Sequence, residues 1–128
     1  MSLMLLTVLP QKLAVMRLEP DGPIPEWATR GAFYSLTRTP DELSIFCDSE
    51  VMPGDPSKID GWRALRVAGT LDLTLTGVIS QLAMPLAAKQ IPIFSISTHD
   101  TDYMIFREDQ LADALDVLRR AGHQVEEA

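Results

Sequence analysis

The sequence predicts an α+β fold of two βαββαβ modules, each an antiparallel sheet with helices on one face. The second half reads strand, helix, strand, strand, helix, strand, the order that closes such a sheet. The two hairpins of the chain align without gaps when one is shifted by sixty positions, and self-similarity at a fixed period marks a repeated unit. A chain of 128 residues suits one compact domain or two very small ones sharing a core.

Lys12 to Leu18 reads as a strand, bounded by Pro10 and by Pro20, Asp21, Gly22 and Pro23. Pro25 to Thr29 opens a short helix with Trp27 as its apolar anchor. Phe33 to Thr37 and Leu43 to Cys47 form a hairpin around Arg38-Thr39-Pro40-Asp41, where Pro40 pre-sets the turn dihedral. Pro53 to Gly61, rich in Pro, Gly and Asp, reads as a linker. Trp62 to Ala68 is the next strand, followed by a turn over Gly69 to Thr74 with Asp72 or Thr74 as helix cap. Leu75, Val78, Ile79, Leu82 and Leu86 recur at helical spacing, predicting a helix to about Gln90 that Pro85 should kink. Ile93 to Ser97 and Tyr103 to Phe106 form a second hairpin around Thr98-His99-Asp100-Thr101. The last helix starts near Glu108 and Asp109 and ends with Arg119 and Arg120, charges placed to suit its dipole. Leu111, Leu115 and Leu118 form its buried stripe and Gly122 its C-terminal cap. Gln124 to Glu126 closes the module as a strand.

The sixty-residue shift lays Phe33–Thr37 on Ile93–Ser97 and Leu43–Phe46 on Tyr103–Phe106, with Ser35, Ile45 and Phe46 identical to Ser95, Ile105 and Phe106. Chance similarity between two amphipathic hairpins is the competing explanation. The division that follows is a degenerate N-terminal module over 1–61, its second helix broken by Pro53 and Pro56, and a fuller module over 62–128.

Apolar residues make up 46% of the chain and charged residues 23%, as in an ordinary globular protein. A formal charge of -7 disfavours nucleic acid and anionic membrane as partners, although such a charge also simply keeps a protein soluble. Cys47 is the single cysteine, so intramolecular disulfides and cysteine-rich zinc sites are excluded, and its place in a strand predicts an inert buried thiol. The apolar stretch from Met1 to Pro10 is too short to span a bilayer and carries no positively charged start or clear cleavage site. The expected location is the cytoplasm.

Ser97 to Asp102 places six polar residues in a row between apolar strands. Extended geometry would put Thr98, Asp100 and Asp102 on one face and His99 on the other. A solvated turn, a ligand site in which Asp102 binds a cation such as an α-ammonium, and a metal or acid–base site using His99, Asp100 and Asp102 compete for this segment. A metal needs three or four ligands, and the one other histidine is His123 near the end. The second feature is Thr74-Leu75-Thr76-Gly77-Val78, where a glycine in the first helical turn exposes N–H donors that suit a carboxylate. Close helix–sheet packing explains that glycine equally well. No phosphate loop or dinucleotide fingerprint is present, and no cofactor is expected. Taken together, amides near Gly77 and the carboxylate of Asp102 offer the two poles that a zwitterionic amino acid requires.

Gly69 to Ile79, Ala83-Met84-Pro85-Leu86 and Ile93 to Tyr103 resemble bacterial tandem ACT-domain proteins, which are similar to the regulatory region of aspartate kinase and to the cytosolic arginine-sensor family. The Ser-Thr-x-Asp-Thr-Asp-Tyr pattern is the most specific part, and Gly22 to Ala28 looks like the bacterial group too. The resemblance implies two ferredoxin-like modules, amino-acid binding without catalysis, and pairing into a homodimer that signals through an effector protein. It implies ligand contacts at Thr76, Gly77, Val78, Thr98 and Asp102, and His99, standing where relatives often carry an aromatic residue, is a further ligand-binding candidate. Leu75 replaces an acidic contact of the arginine sensors, which counts against a pocket built for a guanidinium. A small enzyme using His99 and Asp100, or a dimer module without ligand, are the alternatives.

Overall fold

The structure is a computed structural model that describes residues 4–67 and 78–127. The expected turn over Gly69 to Thr74, its caps Asp72 and Thr74, and the helix-start residues Leu75, Thr76 and Gly77 fall outside the described residues. In chain order the elements are β1 (Leu5–Val8), β2 (Leu13–Leu18), β3 (Tyr34–Arg38), β4 (Leu43–Asp48), β5 (Ile59–Val67), α1 (Val78–Ala88), β6 (Phe94–Ser97), β7 (Asp102–Arg107), α2 (Leu111–Arg120) and β8 (Gln124–Glu127). Short 3-10 turns occupy Glu26–Thr29, Ser49–Val51 and Glu108–Gln110. The chain divides into two compact units, Gln11–Trp62 and Arg63–Ala128 joined by Met1–Pro10. The opening segment thus groups with the C-terminal unit, and the start of β5 with the N-terminal one.

Within the N-terminal unit, β4 pairs antiparallel with both β3 and β2, and β2 pairs antiparallel with the start of β5. That neighbour order is the one a βαββαβ module produces, with residues 59–62 as its closing strand. The linker expected over 53–61 therefore ends earlier, because Ile59 already pairs with Val15. The β2–β5 register shifts between Leu13 and Val15, and Gly61, at φ 89°, supplies the left-handed conformation that a bulge requires. Both helices of this module are reduced to single 3-10 turns, consistent with Pro23, Pro25, Pro53 and Pro56 around them. Ala14, Met16, Leu43, Ile45 and Cys47 line one face of the sheet and pack with Ala28 and Met52 from those turns; Trp27 packs at the edge of this core. On the other face, Phe46 meets Trp62 edge to face at 6.3 Å.

A buried carboxylate fixes the start of β3. Asp48, only 5% exposed, accepts the backbone N–H of Ala32 at 3.0 Å and of Phe33 at 3.2 Å. Gly31 lies against it so closely that a Cβ there would sit 2.7 Å from the Asp48 Cγ. Cys47 beside it is fully buried, as expected, and burial first, then the Asp48 charge, pushes its thiol up to about 11.

The C-terminal unit holds β8, β1, β5, β7 and β6 as successive neighbours. Leu6 and Val8 alternate with exposed or half-buried partners, and this short strand inserts between β5, antiparallel to it, and β8, parallel to it. The sheet is thus mixed, not wholly antiparallel as expected, because the opening segment forms a strand that the apolar run did not announce. Leu6, Val8, Leu65, Val67, Met104 and Phe106 face the helices and pack with Leu82, Leu86, Ala114, Leu115 and Leu118. The helix carrying Pro85 continues to Ala88, so the proline lies in its last turn.

Both helices end alike. Gln90 N–H donates to Ala87 O and Ile91 N–H to Leu86 O, while Gly122 N–H donates to Arg119 O and His123 N–H to Leu118 O. Each is the two-bond C-terminal motif with a left-handed residue at its centre, Gln90 at φ 58° and Gly122 at φ 98°. The residue after that centre turns inward. Ile91 joins the core, and His123, 5% exposed, accepts the Met4 N–H on Nδ1 at 3.1 Å. An accepting Nδ1 leaves the ring proton on Nε2.

The repeat is real in its hairpins but offset by one residue from the alignment of identities. Arg38 pairs with Leu43, and Ser97 with Asp102, so the rungs that flank the two turns correspond at a shift of 59. Ile45 and Met104 then share the helix-facing side of their strands, whereas the identity of Ile45 with Ile105 joins residues on opposite faces. In a strand a slip of one position exchanges the faces.

Candidate functional site

The second turn is built by Thr98. Its N–H donates to Thr101 O at 2.8 Å, its hydroxyl donates to the same oxygen at 3.1 Å, and Thr101 N–H donates back to that hydroxyl at 3.2 Å. Thr39 organises the first turn in the same way, with Thr39 N–H on Glu42 O at 2.8 Å and Glu42 N–H on the Thr39 hydroxyl at 3.2 Å. The turn expected around Thr98 to Thr101 is thus present, and the extended alternative that would set Thr98, Asp100 and Asp102 on one strand face is not adopted. A threonine hydroxyl that bonds its own backbone competes with extension, which favours the turn.

His99 lies at the apex with its side chain 86% exposed, and its Nδ1 is 3.0 Å from Asp100 Oδ1. Neither residue is enclosed by the fold, so the pair resembles a solvated turn rather than a desolvated acid–base site. Among the described residues no group of three or more histidine, cysteine or acidic side chains is arranged to hold a metal. Thr101, which spacing alone did not single out, is the buried member of the segment. Its hydroxyl donates to Val67 O at 2.6 Å and ties the turn to the end of β5. Only its place between an exposed turn and an apolar strand hinted at this anchoring.

Asp102 differs from its neighbours. It opens β7 half-buried, on the same side of the strand as Met104 and Phe106, and accepts a hydrogen bond from Ser97 Oγ at 2.6 Å. The structure thus brings Ser97, Thr98 and Asp102 together at one end of the hairpin and leaves His99 pointing into solvent. Thr76 and Gly77 lie outside the described residues, and Val78 enters as the first helical residue described.

A separate open groove of about 620 Å³ runs between α1 and α2, lined by Pro85, Ala88, Ile91 and Val117 together with the charged Lys89, Asp113, Asp116 and Arg120. It includes none of the residues expected to bind ligand. No helix among the described residues is long and apolar enough to cross a membrane.

A family model described as an ACT domain matches residues 57–120, half of the chain. A second family model, described as an N-terminal domain, matches residues 11–55. The mouse cytosolic arginine sensor for mTORC1 subunit 1 is 30% identical over 96 residues, which cover 69% of this chain and 29% of that protein. Its bovine counterpart is 31% identical over 97 residues, 70% of this chain and 30% of that protein. The chain spans about three-tenths of the length of these curated relatives. An Agrobacterium tumefaciens protein of known crystal structure superposes with a TM-score of 0.93 at 34% identity, covering 100% of this chain and 96% of that one. The ligand-free regulatory subunit of aspartate kinase from Thermus thermophilus gives a TM-score of 0.61 at 13% identity over 88% of this chain and 93% of that one, a likeness of fold alone.

Proposed function

The chain belongs to the ACT-domain family, and from that premise we propose that it is a regulatory module that binds a free amino acid and acts without catalysis. The observation that carries this reading is Asp102, a half-buried carboxylate at the end of a strand face that otherwise packs the core. A charged group at such a position weakens packing unless it meets a partner. A ligand ammonium beside Asp102 is that partner, and backbone amides around Thr76, Gly77 and Val78 take the carboxylate, on the grounds the sequence supplies. Thr98 shapes the turn that positions Asp102, and His99 borders the site from solvent. Signalling through a homodimer and an effector protein belongs to the same proposal. Among the described residues β3, β6 and β8 each have one strand neighbour, and such edges favour association.

The test is thermal unfolding of the full chain with each of the twenty amino acids. A ligand at one hundred times its Kd stabilises by about 2.7 kcal/mol, a rise on the order of 10 °C for a chain of this size. Asp102→Ala should fold normally and lose that rise. A flat panel, or an unchanged rise in Asp102→Ala, refutes the reading.

A further inference from the structure

The two hairpins close with the same threonine-based turn but carry different chemistry on the rung beside it. In the C-terminal unit the rung is Ser97 with Asp102, a hydroxyl donating to a carboxylate. In the N-terminal unit it is Arg38 with Leu43. Leu43 is 1% exposed and packs in the core, so the place of the Asp102 carboxylate is filled by an apolar side chain. Arg38 reaches from the rung to the loop after β2, donating to Pro20 O and, at 2.8 Å, to Gly22 O. A second arginine, Arg17, donates to Asp41 O at 2.8 Å and holds the same turn. Going from the first hairpin to the second, the rung thus loses a fixed cation and gains an anion.

We infer that the N-terminal unit is a closed counterpart of the site at Asp102: its guanidinium from Arg38 is an internal cation standing where the other unit takes an external one, so the chain holds one amino acid and not two. The inference rests on the reading of Asp102 given above. The chemistry is that of a tethered substituent. The carbonyls of Pro20 and Gly22 lie in an exposed loop, and the two terminal nitrogens of Arg38 donate to them from within the chain. Ser97 is neutral and donates to Asp102 Oδ1, so the cation inferred beside Asp102 is taken from outside.

Two measurements on the full chain decide it. The first is hydrogen exchange at the Gly22 amide, which donates to Glu19 O at 3.3 Å, in Arg38→Ala, with ethylguanidinium as the probe. Removal of the tether should speed exchange there on the order of tenfold, and millimolar ethylguanidinium should restore protection in the variant while leaving the wild type unchanged. Arg38→Gln serves in the same way should the alanine variant fail to fold. The second is calorimetric titration of the wild type with whichever amino acid raises its melting temperature, where one equivalent per chain is expected. The double substitution Ser97→Arg with Asp102→Leu, which transplants the closed rung, should abolish that titration in a folded protein. Two equivalents in the wild type, or absence of any ethylguanidinium effect in both Arg38 variants, overturns the inference. A flat amino-acid panel overturns the reading of Asp102 instead, and the ethylguanidinium result still decides whether Arg38 is an internal cation.

Discussion

Replacing Asp48 by alanine should destabilise the protein by about 2–4 kcal/mol. The carboxylate accepts two backbone N–H groups, from Ala32 at 3.0 Å and Phe33 at 3.2 Å, inside a site that leaves Asp48 5% exposed. A hydrogen bond to a charged group contributes roughly 1.5–3 kcal/mol. Ala32 is exposed and Phe33 half-buried, so water reaches the stranded amides in part and the total falls below twice the upper figure. Against a domain stability of about 5–15 kcal/mol, the loss moves a urea midpoint visibly. Trp27 and Trp62 both lie in the unit that Asp48 organises and report its unfolding by fluorescence. Gly31→Ala sharpens the test, because its Cβ would meet the Asp48 Cγ at 2.7 Å and push the carboxylate off its amides. That substitution should be costly in the wild type and mild in an Asp48→Ala background, a non-additive pair. A loss under about 0.5 kcal/mol for Asp48→Ala, or strictly additive effects, would refute the claim that this carboxylate fixes the entry to β3.

Other consequences are simpler to check. Gln90 adopts φ 58° where the second helix places Gly122, so Gln90→Gly should stabilise by about 0.5–1 kcal/mol in urea unfolding. Cys47 should resist iodoacetamide at pH 8 in the folded state and react on denaturation, since the thiolate is the nucleophile and burial holds the thiol up to about 11. The sign of the linked effect follows: the stability from keeping this thiol neutral is complete below its ordinary value of 9.0 and is lost as pH rises through about 11. His123→Phe should keep the packing of the ring but strand the Met4 N–H, costing about 1–3 kcal/mol by thermal unfolding.

The parts of the fold that were legible share a physical trait. The last helix announced itself because its apolar stripe, its terminal charges and Gly122 all agree, and the structure ends α2 at Arg120 with that glycine two residues on in the left-handed conformation. The hairpins were legible for the same reason, with turn chemistry between alternating strands. β1 was not, since four residues of an apolar run carry no period that separates strand from anything else, and its partners lie far along the chain. The repeat was visible, yet the identities of Ser35, Ile45 and Phe46 favoured a shift of sixty, while Thr39 and Thr98 organise matching turns 59 apart. Residue identity rewards composition, whereas pairing register is set by the turn. At the candidate site the six polar residues marked the turn of the second hairpin, which lies between β6 and β7. They did not separate Thr98, consumed by the turn, and Thr101, consumed by anchoring, from Asp102, which stands on the packed face.

The insertion of β1 between β5 and β8 bears on how the protein is made. Met4 and His123, joined by a hydrogen bond, stand 119 positions apart. On the ribosome the Leu5–Val8 segment therefore emerges before either neighbour, can pair first with β5, and gains its second neighbour only when the β8 residues leave the exit tunnel. Closure of that unit is then a late, high-contact-order event. Slow translation, or a fusion that delays release of the β8 residues, should raise demand for chaperones that shield a short apolar strand, even with every residue of the finished protein unchanged.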